Sequence, residues 1–140
     1  MTTETATEAN VDLVRRAFDA FNESDLDATL AFLTEDFAIN IAGMPYQERG
    51  LEAWSRNFRT MHDAFPGIRA DVHDIFGAGD KVTVRLTFSG KHTREFLGMA
   101  PTGREVEYTS IEIYRIEDGR LAEEWICSDT ATLMRQLAGE

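Results

Sequence analysis

The chain has 140 residues, with 14 Lys and Arg against 25 Asp and Glu, for a formal net charge of -11. That length fits one domain over 1–140 with one sizeable core, and a hydrophobic fraction of 43% argues against disorder. The charge repels phosphate backbones and anionic membranes, the single Cys127 excludes an intrachain disulfide or a Cys-rich zinc site, and His62, His73 and His92 lack metal-ligand spacing.

Residues 1–7 are Thr-rich and read as a flexible start. No apolar run reaches the roughly 20 residues of a membrane-spanning helix. The first ten residues are polar and acidic, unlike a secretory signal, so a cytoplasmic protein is expected. Thr5 with Glu8, and Ser24 with Asp27, have the spacing of capping boxes. Val11, Val14, Phe18 and Phe21 recur at helical spacing after the first, and Leu26, Leu30 and Leu33 after the second. The break at 22–25 predicts two short helices meeting at a corner.

Phe37, Ile39 and Ile41 alternate with smaller or polar residues and predict a short strand. A loop with Gly43, Pro45 and Gly50 follows. Trp54, Phe58, Met61 and Phe65 then predict a third helix, stopped by Pro66 and Gly67. From Val72 onward the period is two. Strands are expected either side of a turn at 77–80, over 105–116, and over 121–128 after a hairpin turn at 117–119. A short terminal helix over 130–137 closes the chain. Helices followed by a strand meander give an α+β fold, with a curved, mainly antiparallel sheet around the N-terminal helices. Val106, Tyr108, Ser110, Glu112 and Tyr114 share one face of the long strand, and Thr109, Ile111 and Ile113 the other. One face can line a cavity. The other can meet a partner subunit, so a dimer or larger homo-oligomer is expected.

Gly90, His92, Gly98, Pro101, Thr102, Gly103 and Arg104 fall as in the G-x-H-x-G-x-x-x-G-x-x-P-T-G-[KR] signature. The run from Arg115 to Leu121, with Glu123, Glu124, Trp125, Asp129 and the Arg135-Gln136-Leu137 triplet, continues the match. The chain thus resembles the SnoaL-like polyketide cyclases from about Val11 to Gly139. The resemblance implies a cone-shaped α+β barrel of the nuclear-transport-factor-two-like kind, enclosing an apolar pocket. It also implies a cofactor-free enzyme that closes a ring in a small apolar polyketide-like substrate, by aldol, Michael or Diels–Alder chemistry. Two other functions fit the same fold: a non-catalytic small-molecule binder and an epoxide-hydrolase-like enzyme. Arg94 stands where the family has its second glycine. Alignment on the Asp118-Gly119 turn places the family's acid/base Asp at Ile126 and its assisting His at Glu112, so both depart from the pattern.

Glu112 is the leading catalytic candidate, because a carboxylate in an apolar cavity has its pKa raised toward neutrality. Its other reading is an ion pair with Arg85. His92 either orients or protonates a carbonyl, or bonds a backbone group. Substrate contact is expected from Tyr108 and Tyr114, as donors to an enolate or as wall residues, and from Glu124 and Ile126 on the last strand. Asn40 is either a substrate contact or part of a strand-end network. Trp54 and Phe58 are pocket wall or core. Trp125 is assigned to the core, Cys127 to an inert buried thiol, and Asp129 to a helix N-cap.

Overall fold

A computed structural model describes residues 3–140, with side chains from Thr5 onward. Met1 and Thr2, part of the expected flexible start, lie outside the described residues. From Thr3 the chain is already helical: α1 runs Thr3–Asn22 as one 20-residue helix. Thr5 and Glu8 therefore sit inside the helix rather than at its start. Ser24 adopts a left-handed φ of 58°, and the cap of α2 (Leu26–Leu30) is Asp25, whose side chain accepts from the Ala28 N–H at 3.0 Å. Leu33 leaves the helical pattern and opens β1 (Leu33–Ile41). It pairs in parallel with Leu121 and is buried there, so sheet pairing overrides its helical spacing.

Next come β2 (Glu48–Arg49), α3 (Leu51–Ala64), β3 (Arg69–Ala78), β4 (Lys81–Lys91), β5 (Glu105–Glu117), β6 (Arg120–Ser128) and α4 (Thr130–Leu137). The strand order is β2-β1-β6-β5-β4-β3, antiparallel except for β1 beside β6. The sheet curls without closing, so β2 and β3 remain edges. Leu13, Val14 and Phe18 of α1 pack on Val82, Val84 and Leu86 of β4 and on Phe37 and Ile39 of β1. A second cluster joins Phe65, Ile68, Phe96, Val106, Leu133 and Leu137. No helix of the described residues is long and apolar enough to cross a membrane.

Two details set where side chains point. Gly77 is not part of the β3–β4 turn: β3 runs to Ala78, and Gly79 makes the turn with φ 60°. A Cβ on Gly77 would lie 2.8 Å from the Thr7 Cγ2 and 3.3 Å from the Val11 Cγ2. Glycine here lets α1 approach the sheet. At the far hairpin, Asp118 and Gly119 have φ of 50° and 78°, the pattern of a two-residue type I′ turn. The β5–β6 register then shifts between Ile116↔Leu121 and Arg115↔Glu123, leaving Ala122 as an extra residue. This bulge brings Tyr114 opposite Glu124 and Glu112 opposite Ile126.

Strand parity past the bulge corrects two core assignments. Glu124, Ile126 and Ser128 face inward, so Trp125 and Cys127 face outward. Trp125 is half-buried rather than core, and Cys127 is exposed.

Candidate active site

The inner face of the curled sheet, α1 and α3 enclose a cavity of about 410 Å3. Phe18, Phe21, Phe58, Met61, Phe88 and Ile41 give it an apolar wall. Alternation along β5 aims Tyr108, Glu112 and Tyr114 into it, and β6 adds Glu124, Ile126 and Ser128. Trp54 reaches it from α3.

Glu112 and Glu124 are 4% and 3% exposed. The Tyr114 hydroxyl donates to the Glu112 Oε1 at 2.5 Å, and Glu124 stands on the other side of Tyr114, opposite it across the strands. The Ser110 hydroxyl donates to the Glu112 Oε2 at 2.8 Å and meets the Ser128 Oγ at 2.8 Å. Trp54 stands near Glu124 and favours its charged form. Two carboxyls thus flank one phenol in an apolar cavity.

Burial pushes the Glu112 carboxyl up, against the lowering effect of the Tyr114 and Ser110 hydrogen bonds. Burial and then the Glu112 charge push Glu124 well above the usual carboxylate range. Two buried like charges this close do not ionise together, so the pair titrates as a unit. Two hydroxyls donate to Glu112 and favour its charged form, so the proton the pair keeps rests on Glu124. One proton arrangement suits all three groups: Tyr114 donates to the Glu112 carboxylate, and Glu124 beside it stays protonated. Burial, followed by nearby carboxylate charge, raises the pKa of Tyr114 and Tyr108 as well, so both remain hydroxyl donors. Among the described residues, no group of three or more His, Cys, Asp or Glu could hold a metal ion.

The family model for the SnoaL-like polyketide cyclase matches residues 11–137. The chain belongs to that family. The aklanonic acid methyl ester cyclase DauD of Streptomyces sp. (strain C5) is 28% identical over 131 residues, which cover 91% of this chain and 80% of DauD. The solved structure of IdmH from Streptomyces antibioticus matches with a TM-score of 0.80 at 32% identity, over 92% of this chain and 98% of its own. AclR from Streptomyces galilaeus shares the fold, with a TM-score of 0.87 at 23% identity, over 96% of this chain and 83% of its own.

This SnoaL-like cyclase gathers most of its sequence-predicted site residues around the cavity: Glu112, Tyr108, Tyr114, Glu124, Ile126, Trp54 and Phe58 all line it. The expected alternative for Glu112, an ion pair with Arg85, is absent. Arg85 instead binds Asp74 at 2.6 Å on the outer face. Asn40 is not at the cavity: it points outward and bonds the Glu123 Oε2, the Glu124 carbonyl and Gln47, the strand-end network. His92 is not at the cavity either. It is fully buried beside Phe65 and accepts from the Thr102 N–H through Nδ1 at 3.2 Å, a contact that closes the loop between β4 and β5. Asp129 caps α4 as expected, accepting from the Thr132 N–H at 3.1 Å, and hydrogen bonds from Thr132 lower its pKa.

Sequence reasoning missed that Glu124 stands beside Tyr114 and so near Glu112. It also missed Ser128, whose hydroxyl extends the Ser110–Glu112 chain. The signal for both is the cross-strand register, which the bulge at Ala122 changes.

Proposed function

We propose that this SnoaL-like cyclase closes a ring in an apolar polyketide ester by an intramolecular aldol reaction, with Glu112, Tyr114 and Glu124 as one acid–base unit. The observation that supports this reading is the pair of buried carboxyls on either side of a phenol in an apolar cavity. The Glu112 carboxylate removes a proton from a carbon next to a carbonyl. The enolate carbon forms a bond to a second carbonyl carbon of the same molecule. The electron pair of that C=O moves to oxygen, which takes the Glu124 proton. Glu112 is then protonated and Glu124 charged. Tyr114 resets them, giving its proton to Glu124 and taking one from Glu112. No atoms enter or leave, so substrate and product have equal mass. Folding the flexible substrate against the wall also removes entropy from the barrier, up to about 7–11 kcal/mol in favourable cases.

Aklanonic acid methyl ester, the compound in the relatives' name, is the first substrate to test. Incubation should give a product of unchanged mass and altered retention, with or without a chelator. Recovery of the unaltered ester together with tight binding of it would support a non-catalytic binder instead.

The same chain is proposed to work as a homodimer. Phe76, Thr83, Ile113, Trp125 and Asn40 lie in register across five strands of the outer face, beside Ile111, which is 52% exposed. Such a face suits association with a second copy. Light scattering at micromolar concentration should give twice the chain mass, and a stable monomer would contradict this.

A further inference from the structure

The segment between β4 and β5 is held firmly at its base. The His92 N–H donates to the Arg104 carbonyl at 2.9 Å, and the Gly103 N–H donates back to the His92 carbonyl at 2.8 Å. Phe96 is buried against Phe65. From Phe96 the chain makes a tight turn to Met99, closed by hydrogen bonds of 3.0 and 2.8 Å in both directions. Both central residues are left-handed, Leu97 with φ 48° and Gly98 with φ 85°. This is the backbone of a type I′ turn, whose first central position favours Asn, Asp or Gly. Leucine there sets its Cβ against the backbone.

Leu97 is also 78% exposed, so it gains little from burial in the free protein. Yet it belongs to the lining of the cavity, and it stands at the opening. A side chain that is both strained and exposed contributes nothing evident to the fold. It does present an apolar group to whatever enters the cavity.

We propose that Leu97 is a ligand-contacting residue that covers the apolar far end of a bound substrate. It would select molecules long enough to reach from the Glu112–Glu124 floor to the opening. This rests on the reading of the cavity as the substrate site, but not on any step of the chemistry.

The test uses fluorescence titration of the whole protein with 1-hydroxyanthraquinone, a long uncharged probe, and 1-naphthol, a short one. Leu97→Asn should weaken anthraquinone binding by about 5–30-fold, the value of burying part of a leucine side chain. It should leave naphthol within about two-fold, because the short probe does not reach the opening. The variant should also melt about 2–4 °C higher, since Asn relieves the left-handed strain. Leu97→Met keeps the apolar contact and should bind the anthraquinone within about three-fold of wild type. Unchanged anthraquinone affinity in Leu97→Asn would overturn the proposal, and so would a lower melting temperature, which would make Leu97 a support of the fold. Failure of the wild type to bind either probe would instead remove the reading of the cavity, and this inference with it.

Discussion

Glu112→Gln should lower kcat by about 10²–10⁴-fold, the usual contribution of a general base. Gln keeps the size of the side chain. Its carbonyl can still accept from Tyr114 at the position of Oε1, and its amide can donate to the Ser110 oxygen while that hydroxyl turns toward Ser128. No cation contacts Glu112, since Arg85 is engaged by Asp74, so the substitution strands no charge. The melting temperature should therefore hold or rise. A turnover assay beside a thermal melt separates the cases. Lost turnover with an intact melt identifies the base, whereas retained turnover would point to ring closure by cavity shape alone.

Glu124→Gln should, besides lowering kcat by removing the proton donor, change how stability varies with pH. The folded-state pKa of Glu124 is raised well above the usual carboxylate range by burial and by the Glu112 charge. The fold thus holds a proton that the unfolded chain has already released. The stability this group contributes is fully present below its unfolded pKa and is lost as pH rises through the folded one. Between the two, wild type loses about 1.4 kcal/mol per pH unit for this proton. Gln reproduces the uncharged form at the same size. Melts across pH should show the variant gaining on wild type steadily as pH rises. Parallel curves would mean that Glu124 is not a buried acid.

Much of this architecture can be read from the residues themselves. The 3.6-residue spacing of Val11, Val14 and Phe18 and the alternation of Val82, Val84 and Leu86 report directly on burial, so helices and strands follow. Tyr108, Glu112 and Tyr114 share a face by parity alone. What parity cannot supply is register between strands. A two-residue turn at Asp118 and Gly119 would pair Tyr114 with Glu123, and only the extra residue at Ala122 brings Glu124 opposite Tyr114. A bulge depends on how the whole sheet bends, and the local pattern does not encode it. The same limit sent Leu33 to a helix, because its partner Leu121 lies far along the chain. His92 looked like a catalytic residue because a histidine in a signature segment has the right chemistry. Its use as a loop anchor depends on Thr102 folding back against its ring.

The central claim is that one carboxyl must be ionised and its neighbour protonated. The pH dependence of kcat for ring closure tests this most directly. With a substrate that turns over, kcat should rise at a pH above the ordinary carboxylate range as Glu112 ionises. It should fall again at higher pH as Glu124 loses its proton, and the falling limb should vanish in Glu124→Gln. A kcat that stays flat through both regions, or a falling limb unchanged in Glu124→Gln, would contradict the account.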